Sequence, residues 1–167
     1  DGSLPPTPRE GLALVVGAGT GLGVGFLLKQ KEGRCLAFPS EGGHSELSCW
    51  DELSYAYHRW LSDQLSYAPG AELAVSGQGI ASIFSFLSGP GFDTAMAEPY
   101  GIAFSPRPGE ESSIDAAILR LPEQDRPAEI AGAIRKSPRC LLTMELFVRY
   151  YAAKVSGLAS VFLPSGG

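Results

Sequence analysis

The chain has 167 residues, which is enough for one domain that buries most of its apolar surface. Hydrophobic residues make up 44% of it and charged residues 19%, the balance of a soluble globular protein. Because the net charge is −5, neither nucleic acid nor an anionic membrane surface is expected as the main partner.

Cysteine usage fits a reducing, cytoplasmic environment. The sequence has three cysteines that lie far apart and form no C-x-x-C pair (Cys35, Cys49 and Cys140), so it predicts neither a disulfide framework nor a metal site. It contains no signal peptide and no apolar run long enough to cross a bilayer. Residues 1–11 are expected to form a linker or domain edge and residues 12–167 one domain, and both ends look like cuts through a larger protein.

A glycine-rich stretch between two apolar runs dominates residues 12–28. The pattern predicts two strands joined by a glycine turn, because glycine allows φ > 0 and lets a ligand approach the backbone closely. Successive backbone N–H groups in such a turn form a concave site for an anion, most often phosphate. Thr20 adds a hydroxyl at the tip.

Two familiar phosphate motifs do not fit this turn. A Walker P-loop needs a lysine after its last glycine, and none follows here. A dinucleotide fingerprint needs Gly-x-Gly-x-x-Gly, and every starting glycine meets an apolar residue at the third glycine position. A phosphate-binding hairpin and an ordinary hairpin turn both stay open. Five glycine or threonine residues within 17–23 exceed what a simple reversal needs.

The next predicted elements are a strand and a helix. A short apolar run, 36–38, predicts a third strand that ends at Pro39. Ser48 and Asp51 have the spacing of a capping box, which predicts a helix start. Apolar residues then recur at i, i+3, i+4 and i+7 until Pro69-Gly70 ends the helix.

The second half of the chain is predicted to be helical around one long loop. A helix capped by Ser76 ends at Gly89-Pro90, and residues 89–112 lack periodicity and are expected to form a surface loop or insertion. Two short helices follow. Ser137 is predicted to cap the last helix, 138–163, which begins with Pro138. This helix is apolar on most sides, so we expect it to be buried. Strands followed by helices predict an α/β fold with α+β layers, whose remaining strands lie beyond the ends.

Two acidic segments are candidates for ligand binding. Glu41 and His44 lie on a glycine-hinged loop after the third strand, where a carboxylate and an imidazole suit a polyhydroxylated ligand. A solvated loop is the alternative. Glu72 precedes the helix capped by Ser76, where a favourable charge near a helix N-terminus is the alternative to a binding role. His58 is expected to be an ordinary helix residue.

Three motifs, in this order and at this spacing, resemble the bacterial-type glucokinase family of the actin-like ATPase superfold. They are the glycine turn 17–23, the Pro-Ser-Glu-Gly-Gly-His stretch 39–44, and Ala71-Glu72 ahead of Ser76-Gly77-x-Gly79. The resemblance covers residues 12–167 and implies that they form part of the large, C-terminal domain of a glucokinase. This is a ribonuclease-H-like domain of β-hairpins followed by helices, incomplete at both ends. The chain has Gln78 where the family has proline.

The resemblance implies two ligands, glucose and the Mg²⁺ complex of ATP. It implies that the phosphates of ATP contact the glycine turn, at Gly17, Gly19, Thr20 and Gly21. It implies that three side chains bind glucose hydroxyls: Glu41, His44 and Glu72.

Two family motifs are absent from the sequence. They are the Asp-x-Gly-Gly-Thr phosphate motif and the Asn-Asp-Phe segment, whose Asp is the general base, so we expect no catalytic residue in this chain. The resemblance implies part of a glucokinase that is inactive alone. The alternative is a non-catalytic sugar-binding or regulatory module derived from a sugar kinase. A homodimer is one assembly that the resemblance leaves open.

Overall fold

The structure is a computed structural model that describes residues 11–31, 33–104 and 113–163. Within these residues the strands are β1 (Gly11–Ala18), β2 (Leu22–Lys29) and β3 (Cys35–Ser40). The helices are α1 (Glu52–Ser62), α2 (Gly77–Leu87), α3 (Ser113–Leu119), α4 (Arg126–Gly132) and α5 (Pro138–Phe162). Short 3-10 segments lie between them, at Gly42–His44, Ala71–Leu73, Thr94–Tyr100 and Glu123–Asp125.

The three strands form one antiparallel sheet in the order β1-β2-β3. Val16 pairs with Val24 across the first hairpin, and residues 19–21 form its turn, as the sequence predicts. The third strand is longer than predicted and includes Pro39, which pairs with Gly25. A proline has no N–H to donate, and it is tolerated here because β3 is an edge strand of the described sheet.

The core lies between one face of the sheet and the helices. Helix α2 is at its centre and contacts α1, α4 and α5. Helix α5 also crosses the sheet, where the rings of Phe26 and Phe162 meet edge to face at 4.9 Å. The Tyr151 hydroxyl donates to the Val16 carbonyl oxygen at 3.0 Å. The largest fully buried side chains include Tyr57, Tyr150, Phe84, Phe86, Leu53, Ile83 and Leu142.

Helix α5 is not buried on all sides, which corrects the sequence-based expectation. Leu142, Leu146 and Tyr150 are buried, whereas Val148 is exposed and Val161 is 71% exposed. The buried residues recur every four positions and lie on one face of the helix. The apolar residues on the other face made the helix look uniformly apolar in the sequence.

Serine caps begin two of the long helices as predicted. The Ser76 hydroxyl accepts from the Gly79 N–H, and the Ser137 hydroxyl accepts from the Cys140 N–H. The predicted Ser48–Asp51 capping box at α1 is wrong. The capping box is formed by Asp51 and Ser54, with the Ser54 N–H donating to Asp51 Oδ1 at 2.8 Å. Asp51 directly precedes the first helical residue, which is the position that a cap requires.

The predicted loop 89–112 is only partly described, because residues 105–112 lie outside the described ranges. Its first part contains the 3-10 segment Thr94–Tyr100 and buries Ala97 in the core. The Tyr100 hydroxyl also donates to Asp51 Oδ2 at 2.5 Å. Residues 89–104 therefore pack onto the domain, and an insertion there stays a prediction.

Candidate functional site

Two 3-10 turns bring the three predicted sugar-binding residues together. His44 Nε2 lies 3.3 Å from Glu41 Oε2, and His44 Nδ1 lies 3.4 Å from Glu72 Oε2. The imidazole therefore stands between two carboxylates that are 31 residues apart in the chain. The structure forms the cluster, and its role in binding sugar stays a prediction.

Backbone hydrogen bonds join the two turns. The Ala71 N–H donates to the Ser45 carbonyl oxygen at 2.8 Å, and the Leu47 N–H donates to Pro69 at 3.0 Å. Ser45 directly follows His44, and Ala71 directly precedes Glu72. The backbone thus fixes the separation of the two side chains more firmly than a contact between flexible loops would.

The glycines of the Glu-Gly-Gly-His stretch are needed for close packing. A Cβ on Gly43 would collide with the Leu22 carbonyl oxygen of β2. A Cβ on Gly42 would lie 3.0 Å from the Val24 side chain and from Ser40 Oγ. Any larger residue would push the turn away from β2, and the side chains of Glu41 and His44 would move with it.

A cavity of about 490 Å³ opens beside this cluster. That volume lies in the range of small-molecule sites. Glu72 has a side chain that is 32% exposed and lines the cavity together with His44, whereas Glu41 is 91% exposed and is not part of the lining. The other polar groups of the lining are Tyr67, Ser76, Gln78, Ser82 and Glu123.

The glycine turn lies directly against this site. The Gly77 N–H, in the first turn of α2, donates to the Gly19 carbonyl oxygen at 2.8 Å. A Cβ on Gly21 would collide with Glu72 Oε1, so Gly21 and Glu72 are in contact. The Gly19 N–H is used inside the turn, where it donates to the Gly21 carbonyl oxygen at 2.8 Å.

One of the two expected reasons for glycine in this turn, a positive φ, is wrong. None of the turn residues has a positive φ, since in the described ranges positive φ is confined to Gly11, Gly33 and Gly101. Close approach is the actual reason at Gly21. Thr20 is exposed on the turn and Gly17 is exposed near the end of β1, and a phosphate contact by either residue stays a prediction.

Sequence reasoning missed two side chains that support the site. The buried Tyr57 hydroxyl donates to the Leu73 carbonyl oxygen at 3.1 Å and lies 2.9 Å from Ser82 Oγ. Leu73 and Ser82 both line the cavity. Lys154 of α5 donates to Ser45 Oγ beside the cluster. Burial lowers the pKa of the Lys154 ammonium. Neither residue belongs to a sequence motif together with the residues it contacts, so no pattern in the sequence relates them.

The described part of the chain contains no group of three or more His, Cys, Asp and Glu side chains arranged to hold a metal ion. In the same residues, no helix has the length and apolar character needed to cross a membrane.

The family model and curated relatives that match this chain are glucokinases. The family model described as Glucokinase matches residues 4–167. A glucokinase of Nostoc punctiforme is 36% identical over 173 aligned positions, which cover 97% of this chain and 46% of the relative. A glucokinase of Trichormus variabilis is 36% identical over 163 positions, covering 92% of this chain and 43% of the relative. The chain thus spans less than half the length of these relatives.

Solved structures show the same fold. The glucokinase of Balamuthia mandrillaris, solved in complex with glucose, aligns with a TM-score of 0.65 and 20% identity over 92% of this chain and 37% of its own. A glucokinase from an Antarctic psychrotroph aligns with a TM-score of 0.62 and 21% identity over 98% of this chain and 42% of its own. The predicted fold class, an antiparallel hairpin sheet followed by helices in the actin-like ATPase superfold, is confirmed.

Proposed function

Because this chain belongs to the glucokinase family, we propose that it is part of an enzyme that transfers the γ-phosphoryl group of ATP to the 6-hydroxyl of glucose. The observation that carries the proposal is the contact between a cluster suited to sugar hydroxyls and a turn suited to phosphate. The cluster of Glu41, His44 and Glu72 adjoins a turn of small residues, with Gly21 touching Glu72. A sugar and an anion bound there would be neighbours.

The cluster suits a neutral, polyhydroxylated molecule. Each carboxylate accepts hydrogen bonds from more than one hydroxyl, and the imidazole donates or accepts according to its protonation. Glu72 is the stronger candidate of the two acids, because it lines the cavity and is the less exposed. His44 holds the Glu72 carboxylate from one side, which restricts its orientation.

The glycine turn suits the phosphates of ATP. Small residues at Gly17, Gly19, Thr20 and Gly21 allow a phosphate to approach the backbone, and the Thr20 hydroxyl adds a donor. Mg²⁺ would enter with the nucleotide and would neutralise part of the charge on its phosphates.

Phosphoryl transfer depends mainly on positioning and charge stabilisation. In this proposal the chain supplies sugar binding and one phosphate contact. The general base belongs to the Asn-Asp-Phe segment that this sequence lacks. The enzyme would act in the cytoplasm, in glycolysis. Sedimentation of the intact protein would distinguish a homodimer from a monomer. No contact in the described residues separately favours a non-catalytic sugar-binding module.

A coupled assay with glucose and Mg-ATP on the intact protein containing this chain tests the proposal. We expect turnover at the roughly 1–100 per second that is ordinary for kinases. We expect the isolated 167-residue chain to show no turnover. Glucose binding to the intact protein, measured by calorimetry, separates the outcomes. Binding without turnover would indicate the non-catalytic module, and absence of binding would refute the assignment of the cluster.

A further inference from the structure

Lys154 is a buried cation on α5. It is 8% exposed, and its Nζ donates to Ser45 Oγ. In the described part of the chain, no carboxylate lies within ion-pair distance of it. An ammonium group that loses part of its hydration without gaining a counter-ion is destabilised, and this partial burial lowers the pKa of Lys154. Fold stability by itself would be served as well by an apolar side chain of similar length.

The acceptor of this hydrogen bond lies where the two turns of the site meet. Ser45 follows His44 in the chain, and its carbonyl oxygen accepts from the Ala71 N–H at 2.8 Å. Ala71 precedes Glu72. A single residue, Ser45, is thus bonded through its side chain to α5 and through its backbone to the turn that carries Glu72.

We propose that Lys154 is a positioning residue of the sugar site, which acts through Ser45 to fix the separation of His44 and Glu72. A hydrogen bond with a charged donor is stronger and shorter than a neutral one, so it restrains Ser45 more tightly than a hydroxyl or amide donor would. The inference rests on the proposed function, because it assigns Lys154 to the binding of the same sugar.

The helix that carries Lys154 is well placed to act as a rigid support. One turn earlier, Tyr151 donates to the Val16 carbonyl oxygen of β1. Further along, Phe162 packs on Phe26 of β2. Helix α5 is therefore fastened to the sheet on both sides of Lys154, and movement of Nζ away from Ser45 would require the side chain itself to rearrange.

The decisive substitution is Lys154→Met in the intact protein, since methionine keeps the unbranched stem and removes the charge and the donor. We expect the KM for glucose to rise about tenfold, the order expected for loss of a charged hydrogen bond. The KM for ATP and kcat should stay within about twofold. The melting temperature should stay the same or rise, because a buried charge has been removed. Lys136→Met, at an exposed lysine, is the matched control and should change none of these quantities.

Ser45→Ala tests the same hydrogen bond from its other end. We expect a rise in the glucose KM similar to that of Lys154→Met, and the double variant should be no worse than either single variant. Amide hydrogen exchange provides a readout that needs no glucose. The Ala71 N–H should exchange about tenfold faster in Lys154→Met than in the unchanged protein or in Lys136→Met.

The outcomes separate this inference from the proposed function. If the unchanged protein uses glucose while Lys154→Met leaves both the glucose KM and the Ala71 exchange unaltered, Lys154 has no positioning role and the proposed function stands. Equal rises in both KM values with a lower melting temperature would show a purely structural role. If the unchanged protein does not bind glucose, the proposed function and this inference fail together.

Discussion

The backbone N–H of Gly77 donates to the carbonyl oxygen of Gly19 over 2.8 Å, so the first turn of α2 is attached to the tip of the β1–β2 hairpin. The same hairpin touches Glu72 through Gly21. The glycine turn and the cluster of Glu41, His44 and Glu72 are therefore parts of one structural unit. A substitution at Gly21, which faces Glu72, should weaken the binding of the sugar. A substitution at Gly19, where no atom lies near a Cβ, should weaken the binding of the nucleotide.

Gly21→Ala should impair glucose binding more than nucleotide binding. Its Cβ would collide with Glu72 Oε1, the end of a flexible side chain that can move aside at little cost in stability. Steady-state kinetics on the intact protein should show a glucose KM raised about tenfold, with the ATP KM nearly unchanged. The melting temperature should change little.

Gly19→Val is the matched variant on the other side of the turn. No atom lies within 4 Å of a Cβ at Gly19, so the fold should accept the side chain. A branched side chain there would hold phosphates away from the backbone and raise the ATP KM, with the glucose KM unchanged. If both variants raised the same KM, the assignment of Gly21 to the sugar and of Gly19 to the nucleotide would be wrong.

Glu72→Gln should reduce kcat/KM for glucose more than Glu41→Gln does. Loss of a charged acceptor in a partly enclosed cavity corresponds to about 1.5–3 kcal/mol, or roughly 10- to 150-fold. Both carboxylates contact His44, but Glu72 lines the cavity, whereas Glu41 is 91% exposed and lies outside the lining. The ATP KM should be almost constant in both variants. An equal loss in the two, or a larger loss at Glu41, would contradict this order.

Local signals explain which parts of the fold could be predicted from the sequence. The first hairpin and the caps at Ser76 and Ser137 are encoded within a few neighbouring residues, and each is found in the structure. The predicted capping box of α1 is wrong because Ser48–Asp51 and Asp51–Ser54 have the same spacing. Only the position of the first helical residue distinguishes them.

Non-local contacts explain what could not be predicted. Lys154 is 109 residues from Ser45 in the chain, and no periodicity relates the two. The helical pattern places Tyr57 on the apolar face of α1 but does not show which atom its hydroxyl contacts. The contact with Leu73 depends on how the 3-10 segment Ala71–Leu73 packs against α1. The exposed face of α5 could not be recognised from the sequence either, because apolar residues such as Val148 also occur on the side opposite the core.

Tyr57→Phe should destabilise the fold without creating a cavity. The ring is fully buried, and its hydroxyl donates to the Leu73 carbonyl oxygen and contacts Ser82 Oγ. Removing the hydroxyl leaves polar atoms without their partner, which costs about 1–3 kcal/mol. Urea denaturation should show this loss with an unchanged m-value. Tyr55→Phe, at an exposed tyrosine of the same helix, should be nearly neutral.

The Asp51 carboxylate joins α1 to the 3-10 segment Thr94–Tyr100. It accepts from the Ser54 N–H at 2.8 Å and from the Tyr100 hydroxyl at 2.5 Å. Burial alone would raise the pKa of Asp51. The hydrogen bonds from Tyr100 and Ser54, with the nearby Arg149 guanidinium, outweigh burial and hold that pKa below its ordinary value of 3.8.

Asp51→Asn should therefore change the acid dependence of folding. A carboxyl whose pKa is lower in the folded state stabilises the fold fully above its unfolded pKa, and this stabilisation is lost as pH falls through the folded pKa. Asparagine keeps the helix cap and cannot titrate. The difference in unfolding free energy between the two proteins should be constant near pH 7 and shrink below about pH 4. Tyr100→Phe, which keeps the carboxylate and removes one donor, should show a weaker pH dependence than the unchanged protein. Chemical denaturation from pH 2.5 to 7 measures all three, and a difference independent of pH would show that Asp51 is not stabilised as a carboxylate.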